Sequence, residues 1–294
     1  MNFGRLIFAV LSLVLLSTAW GQGIPSPQVL EQPILTLEGL PDCQQLAIDG
    51  ERNLFLLDLN QNRLYKYFAL TNYDSAISLG GRGNREEGFL QAQKISVQNR
   101  QTLYLLDEGS QRILLFSINL RLLESLDLLT FSGQSAPSES LYPLSFDVSG
   151  IGEMFVLNQW DNKVYKFNAF GAFERSFGGL DFGEGSLYQA DDLQVNAQNL
   201  VFVSDTSAQQ FKVFDLFGQF RYTVQPPTPF RWQAFQLSGN YLLCWNASWL
   251  FVQNLNSQKD WLFPVKGLRS ATLDREFLYL LQENRVTLHP LVGP

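Results

Sequence analysis

The chain has 294 residues, of which 46% are hydrophobic, enough for a sizeable core; its formal charge is −7 and its sequence pI about 4.8. An acidic chain lacks the basic surface that nucleic acid or anionic lipid requires, so both are poor partners.

The first element is residues 1–21. Arg5 gives a positive start, LIFAVLSLVLL a short apolar core, and Ala19-Trp20-Gly21 a small-residue cleavage site before Gln22. This reads as a secretory signal, because a membrane anchor needs about 20 apolar residues. No cysteine follows the apolar run, which argues against a lipid-anchored form. The expected location is therefore secreted, periplasmic or cell-envelope, with no membrane insertion once the signal is removed.

After a linker at 22–32, PILTLEG from Pro33 is an alternating strand that belongs to no unit of its own. Six units then follow. Their second strands end in register at Asp58, Asp107, Asn158, Asp205, Cys244 and Gln282 (NLFLLD, TLYLLD, EMFVLN, LVFVSD, NYLLC, FLYLLQ). Each is preceded by an alternating strand and followed by a polar turn and another strand: RLYKYF, RILLFS, KVYKFN, QFKVFD, WLFVQN and RVTLHP. A fourth strand closes five of the units, and the sixth lacks one. Period-two runs rich in Leu, Val, Phe and Tyr predict strands throughout. Repeats of four strands predict an all-β, six-bladed propeller over residues 33–294, with the early strand completing the last blade.

Two stretches, GGRGNREEGFLQAQKISV from Gly80 and FGGLDFGEGSLYQADDLQV from Phe177, look like phosphate loops. A phosphate loop opens a helix and usually carries a Lys-Ser/Thr pair, and neither stretch does. Their recurrence at one place in the repeat makes them connectors between blades, with glycine supplying the positive backbone angles.

FVSDTSAQQFKVFDLFGQF, YLLDEGSQRILLFS and FVLNQWDNKVYKFNAFGAFERSFGG resemble NHL-type repeats: a strand ending in Asp or Asn, a polar turn, a second strand, a turn with Gly, and a glycine-rich connector. The resemblance covers nearly all of the chain after the signal, with degenerate fifth and sixth units. It implies a propeller whose binding face carries the connectors and the turns between second and third strands. The residues expected there are Arg82, Arg85, Glu86 and Glu87; Trp160 and Asp161; Asp191 and Asp192; Arg231 and Trp232; and Trp245 and Trp249. Arg and aromatic side chains in this setting suit a protein or glycan partner.

The recurring Asp58, Asp107, Asn158 and Asp205 are expected to bond to amides two residues on and hold their turns. No catalytic residue and no required cofactor is assigned. The only histidine, His289, lies in the last strand, which excludes a multi-histidine zinc site. The competing expectation is a calcium-dependent hydrolase or lyase of the lactonase-like propeller type, with oxygen ligands drawn from Asp49, Asp147, Asp192 and Asp274. Cys43 and Cys244 belong to blades separated by a whole blade and are expected as unpaired thiols.

Overall fold

The computed structural model describes residues 25–81, 88–98, 102–129 and 141–291. The signal segment, Arg82, Arg85, Glu86 and Glu87 lie outside the described residues. Six four-stranded antiparallel sheets form a six-bladed β-propeller. The first blade holds β2 (Gln45–Ile48), β3 (Leu54–Asp58), β4 (Arg63–Tyr67) and β5 (Ala76–Gly80). The second holds β6 (Ala92–Gln98), β7 (Thr102–Asp107), β8 (Arg112–Ser117) and β9 (Leu122–Asp127). In the third are β10 (Pro143–Val148), β11 (Met154–Asn158), β12 (Lys163–Phe167) and β13 (Phe173–Gly178). The fourth contains β14 (Ala190–Val195), β15 (Leu200–Asp205), β16 (Gln210–Asp215) and β17 (Phe220–Val224). β18 (Ala234–Ser238), β19 (Tyr241–Trp245), β20 (Trp249–Asn254) and β21 (Lys259–Pro264) make the fifth. The sixth joins β22 (Leu268–Leu273), β23 (Phe277–Gln282) and β24 (Arg285–Pro290) to β1 (Leu35–Leu37), which pairs antiparallel with β24 and sets Leu35 opposite Leu288. Among the described residues no helix is long and apolar enough to cross a membrane.

The second and third strands are apolar on both faces because each blade is sandwiched between two others. The side chains sort accordingly into apolar clusters that each bridge consecutive blades, from Phe55 and Leu57 against Leu103 and Leu105 round to Leu54 and Leu56 against Tyr279 and Leu281. Burying a side chain of this size contributes about 1.5–3 kcal/mol. Cys43 and Cys244 sit in two different clusters as buried free thiols.

The inner strand of each blade is a sheet edge, and its free backbone groups need partners. Polar side chains bridge neighbouring inner strands to supply them. Gln45 accepts from Ile95 N (3.0 Å) and donates to Gln93 O (2.6 Å). Ser145 and Asp147 accept from Leu193 N (3.2 Å) and Val195 N (2.8 Å). Gln194 spans Phe235 O and Leu237 N. Ser238 accepts from Leu273 N, and Ser270 from Leu46 N, which returns the chain of links to the first blade. Between β6 and β10 the links are side chain to side chain, Ser96 to Asp147 and Lys94 to Ser145. The seam between sixth and first blades carries ion pairs at both ends: Arg52 with Asp274 (2.7 Å) and Glu276 (2.8 Å), and Arg269 with Asp42.

Gly80 and Gly178 end the outer strands of the first and third blades with φ of +101° and +77°. A Cβ at Gly80 would meet the Phe89 ring at 2.3 Å, and one at Gly178 would meet Leu187 at 2.6 Å. The glycines thus let the chain turn directly over a buried connector residue, the role the sequence assigned to them in place of phosphate binding.

Candidate functional site on the connector face

The strand-ending acids do more than close their own turns. Asp107 accepts from the backbone N–H of Leu90 and Gln91, Asn158 from Tyr142, and Asp205 from Tyr188. Only Asp58 keeps to its own turn, accepting from Gln61 N. Three of the four keep bonds within their own turns and also reach back 16 or 17 residues to pin the incoming connector. A carboxylate held this way replaces a backbone partner that the connector lacks.

Each pinned connector also has a fully or almost fully buried anchor: Phe89, Leu141 and Leu187. The residue after the anchor is driven outward, so Leu90 is 50% exposed, Tyr142 46% and Tyr188 60%. In the third blade this outward residue falls one position closer to the inner strand than in the second and fourth. Trp160, 76% exposed, lies beside Tyr142 with ring centroids 5.5 Å apart and planes 30° from parallel. Leu129, Leu180 and Phe182 add further exposed apolar surface to the same connectors. Blades two to four therefore present a row of large apolar side chains on one face: Leu90, Tyr142 and Tyr188 each follow a buried anchor and have a pinned backbone amide, and Trp160 rests against Tyr142.

The other residues expected on this face are placed differently. Asp161 builds its turn, accepting from Asn158 Nδ2, Lys163 N and the Tyr165 hydroxyl. Trp232 is buried and stacks on Phe211 at 4.9 Å, and Trp249 packs against the same cluster. Trp245 is also buried, its Nε1 donating to Arg269 O, although it lines the cavity described next. For Trp232, Trp245 and Trp249 the expected presentation is corrected to interblade packing, because their faces complete apolar clusters. Arg231 is exposed and its carbonyl accepts from Asn246 Nδ2.

At the axis, the connector face opens into a cavity of about 260 Å³, and the opposite end of the channel into one of about 460 Å³. Lys94 lines both, together with Ile95, Gln194 and Gln236, and donates to Ser145 Oγ (3.0 Å), Asp192 and Leu193 O (2.7 Å). The mouth is shaped by β-bulges. The pairing of β6, β10, β14 and β22 skips Gln93, Leu144, Asp191 and Arg269, and all four line the mouth. A bulge bends its strand locally and re-aims one side chain, and bulges are over-represented next to functional sites.

Asp191 is raised from the ordinary 3.8 to about 6, chiefly by burial, with Asp192 and Asp205 adding to it and a hydrogen bond from Ser204 opposing it. Its Oδ1 is buried without a hydrogen-bond partner. A carboxyl raised on folding holds its proton to higher pH in the native state. Its contribution to stability is intact below the ordinary value and lost as pH rises through about 6. Ionised Asp191 thus costs on the order of 2–3 kcal/mol at neutral pH.

The four carboxylates weighed as calcium ligands do not come together. Asp49 accepts from Glu51 N and Asn53, and Asp274 from Arg52, Glu276 N and Phe277 N, both at turns between first and second strands. Asp147 is raised by burial, while Lys94, Ser96 and the backbone of Val195 and Val148 pull it back; Asp192 is paired with Lys94. Among the described residues no three His, Cys, Asp or Glu side chains are placed to hold a metal. His289 lies away from the channel in β24, its ring bonded to Glu31 O (2.8 Å) and Thr287 Oγ1 (2.9 Å).

Neither a family model nor a curated protein matches the chain by sequence. Solved structures do match by fold. Virginiamycin B lyase from Staphylococcus aureus aligns with a TM-score of 0.55 at 10% identity, over 84% of this chain and 80% of its own; its histidine-to-alanine variant is catalytically inactive. A streptogramin B lyase aligns with a TM-score of 0.58 at 9% identity, over 88% of each chain. A chain of the mitotic checkpoint complex gives 0.59 at 9% identity over 100% of each. Propellers that do chemistry and propellers that assemble with other proteins share this architecture, and likeness at such identities shows the fold alone.

Proposed function

We propose that this chain is an exported, noncatalytic recognition or scaffold propeller that engages a protein or glycan partner through its connector face. Export follows from the reading of residues 1–21. The observation that carries recognition is the apolar row of Leu90, Tyr142, Trp160 and Tyr188, exposed on connectors whose backbone is pinned at Leu90, Tyr142 and Tyr188, with the Trp160 ring against Tyr142. Large, preorganised aromatic surface is what a recognition site needs, because little side-chain freedom remains to be lost on binding.

The lyase alternative has less to draw on. The inactivating change in the Staphylococcus aureus enzyme removes a histidine, and the single histidine here is bonded to Glu31 O of the early segment and to Thr287 of its own strand. The channel carboxylates Asp147 and Asp192 are satisfied by Ser96, Val195 N, Lys94 and Ser145.

The test is capture of a partner from the native host on the immobilised, signal-free chain. Replacing Trp160 and Tyr142 together by Ala is expected to weaken retention at least tenfold with an unchanged melting temperature. Full retention by the double variant would contradict the proposed face.

A further inference from the structure

The charges around the channel mouth do not balance. Lys94 and Arg269 line the cavity with Asp191 and Asp192, and Asp42 stands beside Arg269. Lys94 is committed to Asp192, Ser145 Oγ and Leu193 O, and Arg269 to Asp42 and the carbonyls of Cys43 and Glu283. Two cations therefore face three carboxylates, and Asp191 is the one with no ion-pair partner among the described residues. Its neighbours deepen the deficit. Asp205 is engaged by Tyr188 N and Ser207 and brings no cation.

A skipped bulge residue is free to be replaced without breaking the ladder, so nothing in strand pairing requires an acid at this position. A neutral residue would relieve the cost of the buried charge. A group kept against stability in a cavity, beside an exposed recognition row, has the character of a ligand anchor.

We propose that the mouth cavity takes an alkylammonium group, with the Asp191 carboxylate as its counter-ion. The cavity of about 260 Å³ accommodates a lysine-sized chain or a small free amine. Trp245 lines the same cavity, so its indole reports on occupancy of the mouth. Tyr188 lies three residues before Asp191, so a partner whose apolar surface rests on the row of blades two to four could place a basic side chain into the mouth. The inference rests on the recognition reading of the connector face and names the chemistry it selects.

The experiment is an NMR titration of the signal-free chain with n-butylammonium chloride and with acetyl-Gly-Lys-Gly-amide, using acetyl-Gly-norleucine-Gly-amide as the neutral control. Saturable shifts are expected at the amides of Gln93, Asp191 and Asp192 and at the Trp245 indole, with the cationic probes only. Response to both probes indicates a free amine as source, and response to the peptide alone a protein. Asp191→Asn is expected to weaken binding at least tenfold, and wild-type binding should weaken as pH falls from 7.5 to 5. Without probe, the same variant should melt higher than wild type at pH 7.5 and equally near pH 4. Equal response to the neutral peptide, unchanged binding by Asp191→Asn, or a variant that melts lower would overturn the proposal. A chain that still captures its partner through Trp160 while ignoring ammonium would overturn it too, and would leave the recognition face standing.

Discussion

Lys94→Met is expected to destabilise the protein by about 2–4 kcal/mol at pH 7.5, measured by urea unfolding. The ammonium is the one link between β6 and both of the next two inner strands, through Ser145 and Asp192, and it is also the cation that restrains Asp147. Its loss leaves Asp147 and Asp192 with hydrogen bonds from Ser96, Ser145 and the backbone but without the cation that faces them. The pH dependence follows from Asp147, which is already raised and would rise further without its neighbour. A carboxyl raised on folding costs most above its folded value and nothing below its unfolded one, so the deficit should shrink toward pH 4. Adding Asp192→Asn to Lys94→Met should recover part of the loss, because the two groups are coupled. A deficit below about 0.5 kcal/mol would mean that water replaces the ammonium readily.

Removing residues 25–38 is expected to cost at least about 4 kcal/mol and to broaden the unfolding transition. That segment supplies β1, whose Leu35 and Leu37 lie against Leu288 and Val286. It also supplies a strap, in which Gln28 N donates to Leu262 O of the fifth blade and Leu30 packs between blades five and six. Without it, β24 becomes an exposed edge with apolar residues beside it. The ion pairs of Arg52 and Arg269 would remain, but charge pairs near the surface do not replace a strand. A peptide of residues 25–40 added in trans should restore much of the loss. Failure to restore, together with an unchanged midpoint after removal, would mean that the early segment merely rests on the ring.

Strands were legible in the sequence because a period of two and a repeated unit state the same thing independently, as in TLYLLD and LVFVSD. The fifth and sixth blades fold alike although they lack the strand-ending acid, since Leu242, Leu243, Leu280 and Leu281 still fill both faces. Side-chain direction was less legible. Trp232 and Trp245 stand close to strand ends, and nothing in their neighbours distinguishes a ring that packs from one that is presented. Trp160 differs because it occupies the tip of a turn with Asp161 already committed beneath it. The bulges at Gln93, Leu144, Asp191 and Arg269 depend on pairing register, which hydrophobic pattern does not encode at a strand's second residue. One signal was available and went unread: the large apolar pairs Phe89-Leu90, Leu141-Tyr142 and Leu187-Tyr188 each stand just before an inner strand. Only one member of each pair can be buried where the connector passes over its blade.

The most direct measurement is hydrogen exchange of the chain alone and with its captured partner. Protection is expected at 88–91, 141–144, 158–162 and 178–190, the connectors and turn that carry the apolar row. Protection confined instead to turns of the opposite face, at 149–152, 168–171 and 215–218, would show that the partner is held elsewhere and that the row serves another end.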